Sequence, residues 1–283
     1  MCVTFIFISD DVNSKYKLII LNNRDENLDR PTLDLDWRDG VLSGVDVQDP
    51  VRGTWFGINR AGRVGILLSI TQPDSLKKPN CPSRGEIVND FLKISRPCDE
   101  FFNELTQRAQ KYNGFQFLGL ERKKCGYYAM TSLTSMLHDP VKPQTWPPGT
   151  YAWGNSPPEK PFRKVIEGKK LFENFVSSLS SETEVQEIID GLLKIATDET
   201  RYTPDPQVKE QTALPEGRYD GLCSIMVKFP LNVVRYGTRS HSILIVDHED
   251  NVTFYEKRMV ILPQKNEEPE WFDKTINFKL NFI

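Results

Sequence analysis

The sequence predicts an α+β protein in which two mostly antiparallel β-sheets pack face to face, each with a helix pair outside it. Three observations carry this. Element signals run in the order strands, two helices, strands, two helices, strands. Helices come in pairs rather than one per strand, which argues against a doubly wound parallel sheet. Layers of this kind bury one face of each sheet and one stripe of each helix. No internal repeat, low-complexity tract or linker interrupts the chain, so residues 1–283 read as a single domain.

The first 70 residues read as strands and turns. Val3–Ile8 and Lys17–Asn22 are continuous apolar runs, the pattern of strands covered on both faces. Gly53–Asn59 and Arg63–Ile70 flank Arg60-Ala61-Gly62, a hairpin connection. The period then changes: Ile87, Val88, Phe91 and Leu92 share a helical face after a Ser83/Glu86 capping box, and Pro97 ends the segment. A helix over Asp99–Tyr112 presents Phe101, Phe102, Leu105 and Ala109. Strands return at Gly114–Glu121, Gly126–Thr131 and Thr150–Gly154. Phe162–Leu179 predicts a helix burying Phe162, Val165, Ile166, Phe172, Phe175 and Val176, and Ser181 with Glu184 caps the next, with Val185, Ile188, Ile189, Leu192, Leu193 and Ala196 inward. Thr200–Tyr219 is polar, contains prolines and reads as a long surface loop. Four strands close the chain: Leu222–Phe229, Ser242–Asp247, Val252–Val260 and Thr275–Phe282, the last alternating Ile276, Phe278, Leu280 and Phe282.

Composition narrows the function. With a net charge of −3, nothing predicts general affinity for nucleic-acid phosphates. No stretch approaches the roughly 20 apolar residues that span a bilayer. The run after Cys2 lacks preceding basic residues and stops at Asp10-Asp11, a poor secretory signal. A cytoplasmic location and reduced thiols are therefore expected of the five cysteines. They form no CxxC pair and no zinc-site spacing with the three histidines, and no metal is expected.

Cys2, directly ahead of the first apolar run, admits two readings. It opens a buried strand, or loss of Met1 makes it the first residue, with a thiol beside its own α-amine. Thiol nucleophiles need a base, and an α-amine titrating near pH 8 supplies one without histidine. In LIILNNRDE, Arg24, Asp25 and Glu26 follow a buried strand. Arg24 beside Cys2 would raise its thiolate fraction, and Asp25 would orient Arg24 or accept from the amine. The same residues read equally as a structural ion pair at a strand end.

MC at the start, NNRDE at 22–26, RP at 30–31, GTWFGIN at 53–59, YNGF at 112–115, GTYAWGNSP at 149–157 and YGTRS at 236–240 occur in one order over nearly the whole chain. Together they resemble the NRDE-motif family, whose animal members are called transport and Golgi organisation 2. That family is similar to the N-terminal nucleophile hydrolases that cleave bile-acid and penicillin amides, which implies an αββα four-layer sandwich. The resemblance makes Cys2 the nucleophile, Arg24 and Asp25 its neighbours, Asn155 an oxyanion or amine partner, and Arg239 the last active-site arginine. Ser69 stands where these hydrolases place a second oxyanion asparagine. Losing such a donor costs about 2.7–4 kcal/mol of transition-state stabilisation, which weakens the case for turnover.

The family's associations imply haem mobilisation, with a link to lipid and acyl-CoA metabolism and to mitochondrial or secretory membranes. A haem or acyl-CoA-like molecule is then the expected partner, as transported ligand rather than resident cofactor. The Cys-Pro pair at Cys81 and the histidine at His241 are candidate haem ligands; a hydrogen-bonded strand histidine is the more common role for the latter. An N-terminal cysteine amidase or thioesterase is the alternative.

Overall fold

The longest strands of the protein, β2 (Tyr16–Asn27) and β11 (Tyr236–Asp247), lie side by side and are buried along nearly their whole length. Their continuous apolar runs have no wet face because both sides of the sheet are covered there. The structure is a computed structural model and describes residues 1–135, 141–215, 217–230, 234–262 and 268–281. The chain divides into two compact units, Met1–Arg30 with Gly149–Phe278, and Pro31–Pro148 with Lys279–Ile283.

In the first unit a six-stranded sheet runs β10 (Gly149–Trp153), β1 (Val3–Ile8), β2, β11, β12 (Asn251–Ile261) and β13 (Glu270–Lys279). Helices α3 (Arg163–Ser177) and α4 (Val185–Ala196) cover one face, where Phe172, Ile188 and Leu192 pack on Val3, Phe5, Ile19, Leu21, Ile243 and Ile245. From Ile19 to Asp25, odd residues of β2 point to these helices and even residues away from them, as the strand period requires.

The second unit carries a seven-stranded sheet: β3 (Thr32–Arg38), β4 (Val41–Asp46), β5 (Phe56–Asn59), β6 (Val64–Ser69), β7 (Phe115–Arg122), β8 (Tyr128–Ser135) and β9 (Gln144–Trp146). Helices α1 (Gly85–Lys93) and α2 (Cys98–Arg108) pack Phe91, Phe101 and Phe102 onto Phe115, Phe117 and Leu133. All strand pairs of defined register in both sheets are antiparallel. The α+β class and the paired helices are as the sequence predicts.

Several elements differ. Strands β3 and β4 form a hairpin on Asp39-Gly40, with φ of 50° and 79°; the Asp-Gly signal for such a turn stands in the sequence between short, mixed flanks. Leu222–Phe229 is not a strand. A 3₁₀ turn at Asp220–Leu222 leads into an irregular path that still buries Ile225 and Val227, its backbone bonded to Asp198 and Thr238. The Thr200–Tyr219 loop contains α5 (Pro206–Thr212), started by Asp205, which accepts from the amides of Gln207 and Val208. Pro206 suits the first turn of a helix, where its missing N–H costs nothing.

The capping boxes shift as well. Helix α4 is capped by Glu184 with Glu187 rather than by Ser181, and α1 follows Arg84 without a side-chain cap, because Glu86 instead accepts the Tyr112 hydroxyl. Ile166 is exposed. In β13, Ile276 and Phe278 are only half-buried; Leu280 is buried just past the strand, and Phe282 lies outside the described residues.

Gly168 sets how closely α3 approaches the sheet. A Cβ there would lie 2.4 Å from Cζ of Phe5 and 3.0 Å from Cδ1 of Ile225. Phe5 is fully buried and stacked on Phe172 at 5.7 Å, so it has nowhere to yield. Gly168→Ala gains about 1 kcal/mol of helix propensity against about 1–3 kcal/mol of overpacking. A net loss of stability is expected in urea unfolding; an unchanged or higher midpoint would contradict this packing.

Candidate functional site

The site grows from one end of the first sheet, where β1 and β2 start and finish. The pairing Val3↔Asn23 brings the residues before β1 next to those after Asn23. Cys2 is half-buried, and its Sγ accepts the Asp25 N–H at 3.3 Å and approaches the Asp25 carbonyl oxygen at 3.6 Å. On the helix side, the α-ammonium of Met1 lies 2.9 Å from Oδ2 of Asp25 and donates to the Tyr236 hydroxyl at 2.6 Å. Oδ1 of Asp25 accepts from the Thr238 hydroxyl at 2.6 Å.

A lysine completes this buried network. Nζ of Lys164, on α3, donates to the Met1 carbonyl oxygen at 2.6 Å and to that of Ser224 at 2.9 Å, and sits 3.6 Å from Oδ2 of Asp25. Its side chain is 0% exposed, a position lysine almost never takes unless paired. Lys164, Tyr236 and Thr238 are not among the site residues expected from the sequence. The signal for Lys164 was its place four and eight residues before Gly168 and Phe172 on the buried stripe of α3.

Two cations therefore share one carboxylate, and burial sets the titration of every group here except Asp25. Burial pushes the Lys164 and Met1 ammonium groups below their ordinary values, with Asp25 opposing. Burial also pushes the Cys2 thiol up, against the pull of the neighbouring ammonium and of Arg24. For Asp25 burial acts upward, but the Met1 ammonium, Lys164 and the Thr238 hydroxyl outweigh it and hold the carboxyl low.

Of the residues expected from the sequence, Arg24 and Arg239 lie on the same stretch of sheet as Cys2. Arg24 is buried, lies 3.7 Å from Glu26, and its charge acts on both the Cys2 thiol and Arg239. Arg239 is buried and donates to the carbonyl of Arg30. Asn155 is buried one residue past Gly154, where a Cβ would stand 3.7 Å from the Cys2 carbonyl oxygen, and its own carbonyl accepts from Gln211.

Ser69 ends β6 opposite Phe115, and Cys81 is half-buried in a loop; both belong to the second unit. His241 is buried, with Nδ1 2.7 Å from Oδ1 of Asn23 and its ring stacked on Trp271 at 5.2 Å. It is a hydrogen-bonded strand histidine, and iron ligation there would have to break those contacts. Among the described residues, no group of three or more His, Cys, Asp or Glu side chains is placed to hold a metal, and no helix is long and apolar enough to cross a membrane.

The antiparallel α+β scaffold thus seats the Cys2 thiol on the backbone of Asp25, whose carboxylate holds a buried ammonium. The family model "Transport and Golgi organisation 2" matches residues 1–260, and the chain belongs to that family. The Drosophila melanogaster "Transport and Golgi organization protein 2" is 33% identical over 94% of this chain and 95% of its own length. The Homo sapiens homologue is 29% identical over 99% of each. Among solved structures, a Cys2-to-Ala mutant of conjugated bile acid hydrolase from Clostridium perfringens aligns over 100% of this chain and 98% of its own at 9% identity, with a TM-score of 0.49. A Caenorhabditis elegans N-acylethanolamine-hydrolyzing acid amidase orthologue covers 86% and 92% at 10% identity and a TM-score of 0.43.

Asp25→Asn leaves the Met1 and Lys164 ammonium groups buried without a counter-charge. Removing one partner of a buried pair costs about 3–5 kcal/mol, so a loss of that order is expected in denaturant unfolding; a change below about 1 kcal/mol would show the network to be energetically idle. His241 supplies a pH signature. Burial, opposed by the attraction of Asp25 and helped by Lys257, lowers its pKa to about 4. Unfolded, the imidazole titrates near 6.5. Between these values the unfolded chain binds the extra proton, so stability falls as pH falls from about 6.5 to 4, by about 1.4 kcal/mol per unit. His241→Gln is expected to flatten that part of the stability–pH curve.

Proposed function

We propose that this protein binds and moves a small molecule at the Cys2 centre, with haem as the first candidate cargo and acyl-CoA as the second. One observation carries the choice of binding over turnover. The Cys2 thiol is pushed up by burial and held against the Asp25 backbone. A thiol in that state is a weak nucleophile. Ser69 at the position of the expected second asparagine agrees with this, and the family resemblance supplies the cargo classes. A cytoplasmic protein working at mitochondrial or secretory membranes fits the same reading.

A second reading has its own support. The Asp25 N–H bond to Sγ and the charge of Arg24 both favour thiolate. With Met1 removed, an α-amine on Cys2 would serve as the base of an amidase or thioesterase.

Haem titration is expected to give a saturable Soret shift without consumption of haem, and acyl-CoA to bind without hydrolysis. Binding of neither would overturn the trafficking reading. An acyl adduct on Cys2, seen by mass spectrometry together with loss of Met1 and abolished by Cys2→Ala, would establish the enzyme instead.

A further inference from the structure

We propose that Arg24, Arg239, Ser240 and Arg258 form an oxyanion-binding site, on the sheet face opposite α3 and α4, for a carboxylate or phosphate of this protein's ligand. The identity of the ligand rests on the reading above, but the site does not.

Arg24 of β2 pairs with Ser240 of β11, which pairs with Arg258 of β12. Directly opposed residues of antiparallel strands share a face, with Cβ atoms about 4.5–5.5 Å apart. Two arginines therefore flank one serine across three adjacent strands. Between Thr238 and Ser240 the register shifts by one residue, so Arg239 is the extra residue of a bulge. Bulges re-aim side chains, and the Arg239 guanidinium comes to lie where both Arg24 and Arg258 repel it. Burial first, and then those two charges, bring its pKa down to about 10.

Few acids face this group. Glu26 lies 3.7 Å from Arg24 and 3.8 Å from Arg30, so it is shared. Asp29 is held by two bonds from Arg235, each 2.6 Å. Glu256, two residues from Arg258 on the same face, is buried and has partners of its own. Among the described residues, Arg239 and Arg258 make no ion pair. Nε of Arg239, Oγ of Ser240 and Nε of Arg258 are all buried without a hydrogen-bond partner, although Arg239 and Ser240 are themselves only 7% and 4% exposed.

Native interiors rarely leave buried donors unmet. Three of them on neighbouring residues, within a cluster of like charge, are the complement of one group with several lone pairs and a negative charge. Guanidinium forks match carboxylate and phosphate oxygens two at a time.

The test uses the full-length protein at constant ionic strength. Inorganic phosphate and acetate are titrated separately by calorimetry, with the Arg Nε–H resonances followed by NMR. Saturable binding of at least one anion is expected, with shifts at Arg239 and Arg258, and the tighter arm identifies the class. Arg258→Gln should weaken binding at least tenfold, Arg258→Lys should restore part of it, and Ser240→Ala should weaken it several-fold. No saturable binding of either anion would overturn the site. So would unchanged affinity in folded Arg258→Gln and Ser240→Ala, with folding checked by near-UV circular dichroism. Phosphate or acetate binding with no response to haem or acyl-CoA would leave the site standing and remove the cargo reading. Haem binding unaffected by Arg258→Gln, with anion binding weakened in the same variant, would keep the site and show that haem does not use it.

Discussion

The Asp25 carboxylate is the charge on which the amino-terminal end of this protein depends. It faces the Met1 ammonium at 2.9 Å and Lys164 at 3.6 Å, and it accepts from Thr238. Two cations in an apolar interior are costly unless compensated, and nothing else shown in contact with both carries negative charge. The pair also ties three separate segments together: the first residues, the first turn of α3 and the start of β11. Ion pairs of this kind give little net stability over an apolar core, but losing one member exposes the full burial cost of the other. Their effect here is to hold residue 1, and with it the neighbouring thiol, in one place.

A single strand distributes the chemistry. In β2, Asn23 and Asp25 point toward α3 and α4, where Asn23 bonds the Ala196 and Ile225 carbonyls and His241. Arg24 points the other way, to the face it shares with Ser240 and Arg258. Alternation thus separates a neutralised network, which fixes the backbone, from an arginine cluster with unmet donors. The bulge at Arg239 adds a third guanidinium to the second face without disturbing the Thr238–Asp25 bond on the first.

Cys2 lies against the backbone of Asp25. The buried ammonium and Arg24 draw its proton off, and burial returns it. Burial prevails, so the thiol lies above its ordinary pKa. The backbone of Asp25 holds the sulfur.

Much of this was legible in the sequence. Continuous apolar runs marked β1 and β2 and periodic Phe and Ile residues marked the helix pairs, because strand and helix periods are properties of neighbouring residues; local charge drew attention to Cys2, Arg24 and Asp25 as candidates, and Arg239 was a candidate through the family resemblance alone. The apolar run at Leu222–Phe229 misled, since burial alone does not specify a strand; its backbone bonds go to Asp198 and Thr238 instead of a ladder. Lys164 on an apolar stripe gave no hint of its partner, because Asp25 is 139 positions away. The tertiary structure alone decided that pairing, the alignment of Arg24, Ser240 and Arg258, and the bulge that turns Arg239. Each depends on which strands meet and in what register, and that is set by packing across the whole sheet.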